Sequence, residues 1–175
     1  MELPGATYLY NLSILAITFA ALSVLLTVVR QIIGGKLSGV DIHLVTTFVS
    51  AGFGQAIAAV LPPAVDLFGL AGPTLWAVAS GTAAILSAAV IGRIQWERSK
   101  FATEGPEPLV VVSFVGLWLS VLMLGANALI PAIQGVGLHA AAVTLSLGAV
   151  MWAFVRRIAS LGGDNAGGDW DLKHG

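Results

Sequence analysis

Five long apolar stretches, separated by short polar or Gly/Pro-rich breaks, make up most of the chain. They run approximately over residues 8–29, 44–61, 74–92, 108–130 and 137–155. None alternates with the period of two that marks a half-buried strand, and each is near the ~20 residues a helix needs to cross ~30 Å of hydrocarbon. Only helices and closed barrels satisfy their own backbone groups in lipid. The pattern therefore predicts an all-α, five-span membrane protein folded as a compact helical bundle. Gly34-Gly35 ends the first helix, and Ser38-Gly39 opens the second, with Ser38 or Asp41 placed to cap it. Pro62-Pro63 and Gly72-Pro73 bracket a short turn around Asp66. The prolines of Thr103–Pro108 suit the first turn of the fourth helix. Residues 1–161 read as one membrane domain, followed by a solvated Gly- and Asp-rich tail, 162–175.

Charge adds a direction. All eight Lys and Arg follow the first, third or fifth stretch: Arg30 and Lys36, then Arg93, Arg98 and Lys100, then Arg156, Arg157 and Lys173. Cytoplasmic span ends collect Lys and Arg, so the alternation predicts an N-terminus outside and a C-terminus inside. Tyr8, Tyr10 and Trp76 fall at the outer boundary, and Trp96 and Trp152 at the inner one, as interfacial aromatics should. Trp118 falls near mid-membrane, where it should face another helix or a partner chain.

Composition agrees. Charged residues are 10% of the chain, against about 25% in soluble domains, and the mean hydropathy is +0.92. Cysteine is absent, which excludes disulfides and thiol chemistry. No basic stripe with interleaved aromatics supports nucleic-acid binding. The N-terminus carries Glu2 and no cation before the first stretch, so Met1 is expected to start the mature protein rather than a cleaved signal. The architecture has a general likeness to small bacterial inner-membrane proteins, and multi-pass insertion in that membrane is the expected location.

Pro63–Leu70 parallels Pro131–Leu138, and the hairpins they turn end in Arg93-Ile94 and Arg157-Ile158. Spans two and three would then repeat as four and five, in parallel rather than inverted topology. Small residues recur four apart as Ser50, Gly54 and Ala58, as Ala84, Ala88 and Gly92, and as Ala140, Thr144 and Gly148. Such faces let helix backbones approach closely in lipid. They point to a tight bundle and favour a homo-oligomer or a subunit of a larger membrane complex, the alternative being a monomer that uses all these faces internally.

Candidate chemistry is sparse. No Asp, Glu, Lys or Arg stands in the middle of a span, which argues against proton-coupled transport and voltage sensing. Asn11, Asn127, Gln134 and His139 lie toward the outer side and Gln55 near mid-span, where they could bind a polar ligand or simply bond between helices. Thr47, Ser50 and Gly54 share one face of the second helix and could line a watery path. His43 and His139 fall at opposite membrane faces, too far apart to ligate one haem, and no metal site or cofactor is expected. Ser80, Ser87 and Ser113 of the spans have no His or carboxylate at helical spacing, and no enzyme motif is present.

The expected function is a non-enzymatic, self-associating passive channel or pore. Its candidate lining and ligand residues are Thr47, Ser50, Gly54, Gln55, Asn127, Asn11 and His139, surrounded by membrane lipids. The alternatives are a non-catalytic accessory or scaffold subunit docking through small-residue faces and Trp118, or a lipid or hydrophobic-ligand binder using Asn11, Asn127 and His139.

Overall fold

A computed structural model describes residues 3–32, 39–99 and 108–163 of the chain. Its five α-helices are α1 (Ala6–Ile32), α2 (Gly39–Asp66), α3 (Gly72–Ser99), α4 (Pro108–Leu129) and α5 (Val136–Gly163), with one 3-10 turn at Pro131–Ile133. All five are long and apolar enough to cross a membrane. Each neighbour in sequence is a neighbour in space. A helix of this length runs ~40 Å, farther than the intervening segments reach, so successive helices are antiparallel. The C-termini of α1, α3 and α5 share one end of the bundle and carry Arg30, Arg93, Arg98, Arg156 and Arg157. We call this the cationic end. The turns between α2 and α3 and between α4 and α5 form the other, the turn end.

Helices α2 to α5 make a ring in which α5 closes back on α2. Helix α1 lies outside the ring, mainly on α2 and partly on α5. The hairpins α2–α3 and α4–α5 meet through α3 on α4 and α5 on α2, the two contacts that a two-fold along the bundle would exchange.

The central core joins Leu9, Leu12 and Ala16 of α1 to Ala56 and Ala59 of α2, Ala83 of α3, Leu124 of α4 and Val143 and Leu147 of α5. Small side chains on α2 and α3 face larger ones on α1, α4 and α5, so the layers interdigitate and backbones come close. Toward the cationic end, Phe19, Phe48 and Phe154 pack edge to face, with Phe154 5.1 Å from each of the others. Such pairs add about 0.5–1.5 kcal/mol each beyond area burial. With the Tyr8 hydroxyl donating to Thr144 Oγ1 at 2.9 Å, they anchor α1 near its start and at its middle.

The structure departs from the sequence expectation at Pro62-Pro63. These residues do not begin the turn; α2 continues through both to Asp66. Proline removes the N–H that would bond the carbonyl four residues back, so Pro62 frees the Ala58 carbonyl. Pro63 frees the Ala59 carbonyl in the same way. Helices in lipid tolerate proline where neighbouring groups or local adjustment satisfy the freed carbonyls, and for Ala58 the donor is His139. The four-apart rows also differ from the expected packing faces. Ser50 is exposed, Gly54 half-buried and Ala58 buried, so that row winds from the surface into the core. Thr144 and Gly148 are exposed, while Ala140 is buried. Ser38, the side chain of Asp41, Lys36, Lys100, Lys173 and the 164–175 tail lie outside the described residues.

Candidate functional site

The turn end holds a buried polar network built from four helices and the α4–α5 turn. Ser80 of α3, Asn127 of α4 and His139 of α5 each have no solvent exposure (0%). The Gly135 N–H donates to Asn127 Oδ1 at 2.9 Å. Asn127 Nδ2 donates to Ser80 Oγ at 2.7 Å. Ser80 Oγ lies 2.9 Å from His139 Nδ1, and His139 Nε2 lies 3.0 Å from the Ala58 carbonyl of α2.

The directions follow from what each atom can do. A carbonyl oxygen only accepts, so the ring carries its proton on Nε2 and donates to Ala58. In the neutral ring Nδ1 then accepts, and Ser80 donates to it while accepting from Asn127. The result is one directed chain, from the Gly135 amide through Asn127, Ser80 and His139 to the carbonyl freed by Pro62. Trp76 covers the ring, with centroids 6.0 Å apart. Gln134 Nε2 donates to the Ala128 carbonyl at 3.0 Å, satisfying one of the orphan acceptors that end α4.

A serine bonded to a histidine has the elements of a nucleophile and its base. Here both are enclosed, and the Ser80 hydroxyl is engaged as donor and as acceptor. The histidine is oriented by a backbone carbonyl rather than a carboxylate. The arrangement ties α2, α3, α4 and α5 together.

Of the sequence candidates, Asn127 and His139 come together here. Asn11 is exposed on α1, away from them. Thr47 and Gly54 are half-buried, Ser50 is exposed and Gln55 is buried, 6% exposed. Gly54 and Gln55 line a small cavity with Ser87 of α3. Ser80 was missed because its histidine partner is on another helix, beyond any search at helical spacing. One signal could have found the network: Pro62 in an apolar helix demands a replacement donor for Ala58, and His139 is a ring donor at the same end of the bundle.

At the cationic end, Glu97 of α3 lies 3.3 Å from His43 Nδ1 of α2 and accepts from Arg93 Nε at 2.8 Å. His43 precedes Ala58 by fifteen positions on α2, ~22 Å along the axis at 1.5 Å per residue, so His43 and His139 sit at opposite ends. Arg93 is exposed and one turn from Glu97, an arrangement that contributes little in water. Arg93→Gln should leave the melting temperature of the purified protein unchanged within error, and a clear drop would give this pair a structural role it lacks here. Among the described residues no three His, Asp or Glu side chains converge as a metal site would require. No protein-family model matches the chain, and neither any curated protein nor any solved structure matches it.

Proposed function

We propose that this is a non-enzymatic integral membrane protein that docks a partner within the membrane through α4, with the cationic end in the cytoplasm. The observation that carries the reading is Trp118. It lies near the middle of the Val111–Leu129 span, is 38% exposed, and its indole N–H donates to no described residue. An indole N–H at that depth has neither water nor headgroups to bond, and tryptophan is favoured at interfaces where its N–H finds an acceptor. Val115 and Leu122, one turn to either side, are exposed as well. The Ser80–Asn127–His139 network supports the non-enzymatic part, since its groups satisfy one another.

A copy of the same chain and a different membrane protein are both admissible partners, and particle mass in mild detergent separates them. The expected result is a defined homo-oligomer or a stoichiometric complex, reduced to the bare chain by Trp118→Ala. A wild-type monomer, or an assembly indifferent to Trp118→Ala, would refute docking through α4.

A second reading is a passive pore formed by self-association. It draws on Ser50, exposed on α2, and on the Gln55 cavity nearby. Purified protein in liposomes should then pass a small solute or ion, with flux altered by Gln55→Leu. Absence of flux under every gradient tested would remove this reading and leave the first intact.

A further inference from the structure

Near half depth, a notch opens between α2, α3 and α4, lined by Ala51, Gly54 and Gln55, by Ser87 and Val90, and by Leu117. Gln55 and Ser87 are each 6% exposed. Neither the Gln55 amide nor the Ser87 hydroxyl hydrogen-bonds to another described residue. Serine in a helix usually returns its hydroxyl to the preceding turn. Ser23 does so to the Phe19 carbonyl and Ser120 to the Leu117 carbonyl, at 2.9 and 2.7 Å. Ser87 does not, and with Gln55 it leaves two hydrogen-bonding groups on one cavity wall. A buried amide without a partner is strongly unfavourable in an apolar medium.

The space open to the centre of a water molecule is about 20 Å³. Roughly 10–15 Å³ measured in this way holds one water, provided two to four polar contacts are available. Gln55 offers two donors and an acceptor, and Ser87 offers one of each. No charged side chain lines the notch, so nothing there would hold an ion. Its volume is too small for an organic ligand. We propose that the notch is a hydration site, in which a resident water bridges the Gln55 amide and the Ser87 hydroxyl inside the bundle. Gly54 and Val90 are half-buried, so the notch is open along the α2–α3 seam toward apolar surroundings, and its water is held by Gln55 and Ser87 rather than by contact with bulk solvent at that depth. The inference is independent of how the protein docks or whether it conducts.

Water-edited solid-state NMR on the labelled full chain in lipid bilayers tests it directly. The Gln55 side-chain amide and Ser87 Cβ should gain intensity from water as early as residues at the helix ends. Ser120 and Leu124, buried elsewhere, should remain dark at short mixing times. Ser87→Ala should reduce the early Gln55 signal at least twofold, and Gln55→Leu should remove that of Ser87. Unchanged shifts in α1 and α5 report that each variant is folded; should Gln55→Leu fail to fold, the wild type and Ser87→Ala decide. Transfer to Gln55 as slow as to Leu124, or transfer from lipid acyl protons instead of water, overturns the hydration site.

Discussion

His139→Ala is expected to destabilise the bundle by about 2–4 kcal/mol, and Pro62→Ala to recover part of that loss. A single interhelical hydrogen bond in lipid averages only about 0.6 kcal/mol, because a freed group usually finds another partner. The groups freed here cannot do so. The Ala58 carbonyl has no helical donor because Pro62 has no N–H, and the Ser80 hydroxyl sits at 0% exposure with Nδ1 as its acceptor. Each buried orphan costs about 1–3 kcal/mol. Replacing Pro62 by alanine returns an N–H to the position that bonds Ala58, so removing His139 then orphans one group instead of two. A double-mutant cycle, read from reversible unfolding in detergent, should give a coupling of about 1–2 kcal/mol. A coupling near zero would mean that His139 does not replace the proline-deleted hydrogen bond.

Gly52→Leu is expected to lift α1 off α2, at a loss of about 3 kcal/mol or more. A Cβ on Gly52 would stand 2.9 Å from the Ala20 Cβ and 3.0 Å from the Ala16 carbonyl oxygen. Backbone cannot swing aside as a side chain can, so even Gly52→Ala should cost about 1–2 kcal/mol through overpacking. Gly54 provides the control two residues away. Its added Cβ would meet Val90 at 3.8 Å, an ordinary contact, and Gly54→Ala should be neutral or slightly stabilising. Separation of α1 is visible as faster amide exchange through Leu12–Phe19 and as loss of the Phe19 ring contacts. Equal tolerance of alanine at both glycines would show that α1 and α2 do not approach this closely.

This pair also marks where sequence reasoning reached its limit. Spacing by four singled out Gly54, because Ser50, Gly54 and Ala58 make a visible row. The glycine pressed against another backbone is Gly52, whose four-apart row with Ala56 is shorter and less visible. A small residue permits close approach, but which one is used depends on the side from which the next helix arrives. Asn127 and His139 were legible as polar groups near one membrane face, since burial of polar atoms in lipid demands partners. Ser80 was not, because nothing along α3 pairs it. Asn11 shares their depth and lies on the exposed side of α1, a rotation that depth alone cannot supply.

The number of helices long and apolar enough to span a membrane, their order and the gathering of cations at one end were determined by the sequence itself. Each is a one-dimensional property: a helix in lipid satisfies its backbone alone, and its length and flanking charge decide whether it spans. That α2 continues through Pro62 was not so determined, and this continuation is what leaves Ala58 without a helical donor. Only the tertiary structure decided what replaced that donor, because rotation of α5 about its axis sets whether His139 meets Ala58 or lipid. The same is true of the notch at Gln55 and Ser87. Two polar residues in separate apolar runs carry no sign of facing one space until α2, α3 and α4 are packed around it.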